Sequence, residues 1–118
     1  MDDYILIDRD KHTPAQADMC ITIDNDCMQP YIKQGTQVFV SRQDTPEEFE
    51  VGLFLYRGQI YCRQWCEDYS GAVHLLCANP KRESCNIIID SKNRKELVCM
   101  GKVLLKKTLP PPVYGRDR

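Results

Sequence analysis

The sequence predicts a single, mainly β domain of short, bent strands and hairpins with at most one short helical turn. Aliphatic and β-branched residues come in short runs bounded by Gly, Pro, Asn and Asp, which is strand-and-turn chemistry. No stretch sustains a helical repeat of apolar positions, and no segment repeats another. A chain of 118 residues holds enough apolar side chains for one core and not for two.

Tyr4-Ile5-Leu6-Ile7 reads as a first strand, followed by a charged, proline-containing loop from Asp8 to Asp18. Met19 to Ile23 is a β-branched strand. Pro30 to Lys33 has room for a single helical turn. Gln37 to Ser41 alternates as a strand does, and Thr45-Pro46-Glu47-Glu48 is a turn or a brief helix start. Val51–Tyr56 and Gln59–Trp65 flank Arg57-Gly58, a hairpin signal. Ala72–Leu76 pairs back across Tyr69-Ser70-Gly71, and Asn79-Pro80 then breaks the chain. Asn86–Asp90 and Leu97–Leu105 supply the last strands. The expected organisation is an N-terminal strand and loop over 1–18, a folded domain over 19–107 and a Pro-rich flexible tail over 108–118, because Pro110-Pro111-Pro112 cannot join a ladder.

Composition removes several classes of function. With 16 basic and 17 acidic residues the net charge is −1, so there is no electrostatic footprint for nucleic acid. The longest apolar run, Leu53 to Tyr56, is far too short to cross a membrane, and Met1-Asp2-Asp3 does not open a secretion signal. The seven cysteines are odd in number, and several lie inside strand-like runs. Reduced thiols acting as small core residues in a cytoplasmic protein fit better than a disulfide framework. Cys62 and Cys66 are four apart, with no second pair or nearby His, so neither a metal nor another cofactor is expected.

The most informative run is Ile23 to Gly35. Polar, turn-forming residues end a strand, then come Cys27, Met28, Pro30 and a glycine, and a new strand begins at Gln37. Asp26-Cys27-Met28-Gln29-Pro30 with Gly35 resembles the nucleophile segment of the LexA-like self-cleaving repressors, shared with UmuD-like proteins, phage repressors and signal peptidases. Three further blocks fit in order: Glu50–Leu55 with Gly58–Trp65, Val73–Pro80, and Val98–Val103. The resemblance covers roughly 19–105. It implies the all-β peptidase fold of the C-terminal domain of those regulators, a Ser–Lys catalytic dyad, and a two-fold dimer in which C-terminal strands take part. Val103, Leu104 and Leu105 are the interface candidates on that basis.

The dyad itself is substituted. Cys27 stands at the serine position and Arg63 at the lysine position, and between Lys33 and Lys81 there is no lysine. The family chemistry uses a neutral amine to take the nucleophile's proton. A guanidinium stays protonated and has no acceptor lone pair. Losing a general base removes roughly 10²–10⁴-fold of rate. Self-cleaving members also carry an Ala-Gly or Cys-Gly bond, whereas the glycines here follow Gln34, Val51, Arg57, Ser70, Met100 and Tyr114. A helix-turn-helix is not expected within the residues given before Cys27.

The expectation is therefore a non-catalytic regulatory and dimerisation module. It acts as a homodimer, with a protein or peptide partner in the old cleft and no direct contact with nucleic acid. Two alternatives stand beside it. One is an active cysteine variant of the peptidase. The other is a thiol sensor, since a cation beside Cys27 would favour a reactive thiolate. Asp26 is expected to satisfy turn amides, His74 to lie on the face opposite Val73 and Leu75, and Trp65 to serve packing.

Overall fold

The computed structural model describes residues 4–6 and 17–114. Most of the expected loop before Asp18 and the last four residues of the expected tail lie outside the described residues. Eight strands form one antiparallel sheet: β1 (Tyr4–Leu6), β2 (Met19–Thr22), β3 (Gln37–Ser41), β4 (Val51–Tyr56), β5 (Gln59–Glu67), β6 (Val73–Leu76), β7 (Ile87–Ile89) and β8 (Leu97–Val103). Their order across the sheet is β1-β2-β3-β8-β4-β5-β6-β7. The mainly β class read from the sequence is the observed one. Two 3-10 segments, Pro80–Cys85 and Ser91–Glu96, accompany the strands, where at most one helical turn was expected.

Local chemistry explains the hairpins. Arg57 and Gly58 both have positive φ, 49° and 82°, the two-residue turn whose twist matches that of its strands. Arg57 is held in that conformation by an ion pair with Glu96 at 2.9 Å and by stacking over the Tyr56 ring. The register this turn sets places Arg63 opposite Gly52. On β6, Val73 and Leu75 are fully buried and His74 is half-exposed, the alternation expected of a half-buried strand.

The last strand, β8, holds the sheet together. It pairs with β4 along most of its length and then with β3 through Val40↔Val103 and Ser41↔Lys102. It can reach both because Gly101 has no side chain: a Cβ there would lie 2.5 Å from the Ser41 carbonyl oxygen and 2.6 Å from Val40 Cγ1. A Gly101→Ala change is expected to destabilise the domain by about 1–3 kcal/mol through forced backbone movement. The measurement is the urea midpoint, and an unchanged midpoint contradicts the prediction.

Two apolar clusters lie against the sheet. The larger includes Met28, Ile32, Val40, Leu53 and Val103; the smaller is built on Phe54, Trp65 and Leu75. Trp65 stacks on Phe54 with ring centroids 5.7 Å apart, so its role is packing. Val103, offered as an interface residue, is buried in the core. Leu104 and Leu105 are half-buried, and Leu105 packs on the same cluster.

Residues 109–114 of the expected flexible tail make specific contacts. Leu109 is buried, the fully buried Gln64 donates through Nε2 to the carbonyls of Phe49 and Pro110, and the Tyr114 hydroxyl donates to the Cys77 carbonyl at 2.7 Å.

Asp68 organises the turn before β6. Its carboxylate accepts from the Ser70 hydroxyl and amide, from the Ala72 amide, and meets His74 Nε2 at 2.8 Å. The Ser70 and His74 hydrogen bonds hold its pKa well below the usual carboxylate range. A carboxylate with a depressed folded pKa contributes stability above its unfolded pKa of about 3.9 and loses it as pH falls towards the folded value. Asp68→Asn is thus expected to make the acid-side loss of stability below about pH 4 shallower. Thermal unfolding against pH checks this, and identical acid limbs contradict it.

Candidate functional site

The run from Ile23 to Gly35 is an excursion between β2 and β3, closed at its base by two backbone bonds. The Ile23 amide donates to the Thr36 carbonyl at 2.9 Å and the Gly35 amide to the Ile23 carbonyl at 2.7 Å. Gly35 has a φ of 90°, a conformation that explains the glycine. Met28 and Ile32 anchor the excursion in the core, and Pro30, joined to Gln29 by a cis peptide bond, is exposed. Between these anchors Cys27 is turned inward, 5% exposed.

Three residues, Asn25, Asn79 and Arg82, hold the Asp26-Cys27 segment. The Asn25 carbonyl oxygen Oδ1 accepts the Cys27 amide at 3.0 Å. Asn79 clamps from the opposite side: its backbone amide donates to the Cys27 carbonyl and its Nδ2 to the Asp26 carbonyl, both at 2.9 Å. The same Asn79 caps the 3-10 segment that follows, through Oδ1 and the Lys81 amide. Arg82 in that segment binds the Asp26 carboxylate through Nε at 2.7 Å and Nη2 at 3.0 Å. That contact holds the Asp26 carboxyl below its ordinary pKa. Asp26 was expected to satisfy turn amides. Its carboxylate goes chiefly to Arg82, and it is Asn25 that takes the amide of Cys27.

Arg63, on β5, is also 5% exposed. Its Nη1 donates to the Cys62 carbonyl at 2.9 Å and its guanidinium lies over the Tyr61 ring. Its Nε is buried without a hydrogen-bond partner, and no ion pair joins Arg63 to a carboxylate among the described residues. A buried, unpaired guanidinium is costly, since each desolvated ion loses several kcal/mol.

Cys27 and Arg63, the residues expected at the dyad positions, both act on the thiols of Cys77 and Cys62. Cys77, fully buried directly after β6, feels the Cys27 thiol and the charge of Arg63. Cys62, next to Arg63 on β5, feels both Arg63 and Cys27. Burial pushes the Cys77 and Cys62 thiols up to about 12, against the opposing pull of Arg63. Tyr114, with burial raising its pKa, closes the back of this cluster through its bond to the Cys77 carbonyl. All seven cysteines are free thiols, and no group of three potential metal ligands forms among the described residues.

Sequence reading singled out Cys27 and Arg63 but missed Cys77, Cys62, Tyr114 and the clamping role of Asn79. Asn79-Pro80 was read only as a chain break and a motif fragment; an Asn directly before a helical Pro is also a capping signal that could have suggested the clamp. Beside the cluster a small cleft is lined by Ile23, Asn25, Leu53, Ile60 and Cys62, with about 20 Å³ of space, enough for about a single water. A peptide on this face would lie over the cleft rather than within it.

The arrangement supplies a thiol and two cations. Among the described residues, the side chains that bond to the Asp26-Cys27 segment are those of Asn25, Asn79 and Arg82, and none is a lysine. Among the described residues no helix is long and apolar enough to cross a membrane. A family model described as Peptidase S24-like matches residues 1–104. No curated protein matches the chain.

Proposed function

The chain belongs to the Peptidase S24-like family, and from that membership we propose that it uses the peptidase fold as a regulatory and interaction module without hydrolysing peptide bonds. The observation that carries this reading is Arg63. It stands where the sequence resemblance puts the family's base, is buried, and offers only donors. Cys27 keeps the place and the clamps of a nucleophile without a partner to take its proton. The role in view is that of a cytoplasmic homodimer that presents the cleft face to a peptide or protein, in the manner of the repressors the sequence resembles.

Both halves of the proposal can be tested. A fluorogenic peptide containing an Ala-Gly bond, incubated from neutral to alkaline pH, is expected to stay intact with wild type and Cys27→Ala alike. Cleavage by wild type that is lost in Cys27→Ala overturns the non-catalytic reading. Sedimentation equilibrium is expected to show a dimer that weakens in Leu104→Asp. A monomer at every concentration overturns the dimer.

A further inference from the structure

The segment Leu109–Tyr114, beyond β8, is tied down at both of its ends. At the first, Leu109 is buried in the larger core cluster, and Gln64 Nε2 donates to the carbonyls of Pro110 at 3.0 Å and Leu109 at 3.4 Å. At the second, the Tyr114 hydroxyl donates to the Cys77 carbonyl at 2.7 Å and accepts from Asn86 Nδ2 at 3.0 Å. Asn86 Oδ1 takes the Cys77 amide at 2.7 Å, so Tyr114 and Asn86 together hold both backbone groups of Cys77. Two residues on, Asn79 donates its backbone amide to the Cys27 carbonyl and its Nδ2 to the Asp26 carbonyl. A continuous line of hydrogen bonds and short backbone therefore runs from Tyr114, through Cys77 and Asn79, to the Cys27 segment.

The same segment is built to come away cheaply. Pro110, Pro111 and Pro112 carry no amide hydrogen, so lifting that run strands no donor. Their fixed φ stiffens the stretch between the anchors and makes the two ends move together. The seated state also carries a cost at Gln64, which is fully buried with Oε1 lacking a hydrogen-bond partner. A buried acceptor without a donor has lost its hydration with no return, and removing Leu109 and Pro110 from this amide lets water reach it. Burial of Leu109 opposes that release and keeps the segment down at rest. Lys106, Lys107 and Thr108, which lead into it, are exposed.

We propose that Leu109–Tyr114 is a strap that lifts as a unit and that, when seated, holds the Cys27 segment in place through Cys77 and Asn79. With the strap down, Cys77 is braced at both backbone groups and Asn79 is aligned on the carbonyls of Asp26 and Cys27. With the strap up, the Cys77 carbonyl loses its donor, Asn86 loses its link to Tyr114, and the Asn79 clamp loosens. Exposure of the Cys27 segment is thereby set from a distant part of the chain. The inference concerns how that segment is held, and it stands whether or not Cys27 does chemistry.

The test uses the full chain and amide hydrogen exchange followed by mass spectrometry of its peptides, which reads local opening region by region. Peptides covering 77–79 and 25–29 report the two clamped segments, and the β4–β5 hairpin is the internal reference. Tyr114→Phe keeps the ring and removes the hydroxyl. It is expected to speed exchange in both clamped segments by roughly three- to ten-fold, the worth of the hydrogen bonds lost, with the hairpin unchanged. Leu109→Ala, at the opposite anchor, is expected to speed the same two segments by a larger factor than the hairpin. Wild-type exchange at 77–79 in Tyr114→Phe overturns the proposal. So does a faster 77–79 with 25–29 unchanged, which breaks the link to Cys27. An effect of Tyr114→Phe that is equal in the hairpin, or an effect of Leu109→Ala no larger at the clamped segments than in the hairpin, also overturns it.

Discussion

Replacing Arg63 with methionine is expected to stabilise the domain by about 1–4 kcal/mol, the range found when buried ions give way to apolar side chains of similar volume. The guanidinium recovers part of its desolvation cost from the hydrogen bond to the Cys62 carbonyl and from the face of Tyr61. A charge-assisted hydrogen bond returns about 1.5–3 kcal/mol and a cation–π contact about 1 kcal/mol. Neither partner is an anion, and Nε has no partner at all. Methionine fills the same stem volume and removes the stranded charge. Urea unfolding of wild type and Arg63→Met near neutral pH measures the difference. A loss of stability contradicts the prediction.

The second large effect is a gain of chemistry. Cys27→Ser with Arg63→Lys supplies the hydroxyl and the amine that the sequence resemblance expects at those two positions. Burial disfavours the charged form of a lysine, so the amine that replaces Arg63 can be neutral and accept a proton. Cleavage of an Ala-Gly peptide by the double variant is expected to exceed that by Cys27→Ser alone by roughly 10²–10⁴-fold, the usual worth of a positioned general base. Equal rates for the two variants contradict the prediction. Circular dichroism of both variants separates that outcome from misfolding.

Much of the fold was legible because its strands are half-buried and obey the period of two. Val38 and Val40 point inward with Gln37 and Ser41 less buried between turns, and Arg57-Gly58 marks a turn that allows one register. The position of β8 was not legible. It lies between β3 and β4, far from both in sequence, and no local pattern encodes that choice beyond Gly101, whose missing side chain permits the crossing. The two 3-10 segments were missed for a different reason: neither contains a buried residue, so there is no apolar stripe to read.

At the site, Cys27 and Arg63 could be found by their place in a motif. Cys77, Cys62 and Tyr114 could not. They arrive from β6, from β5 and from beyond the last strand, and they meet only once the sheet has formed. Asp26 illustrates the limit of local reasoning. Its turn was foreseen, but its main partner, Arg82, lies fifty-six residues away. Asn25 took the local bond that Asp26 was expected to make.

Under the proposed non-catalytic role, the Cys27 thiol is expected not to open a peptide bond. Acyl transfer is the step to watch, because a thiolate that attacked an Ala-Gly carbonyl and expelled the amine would leave a thioester on Cys27. The direct measurement is intact-protein mass spectrometry after prolonged incubation of wild type with a molar excess of that peptide, from neutral to alkaline pH, quenched in acid. The expected result is protein of unchanged mass and peptide recovered whole. An acyl adduct mapped to Cys27, or peptide fragments that vanish with Cys27→Ala, contradicts it.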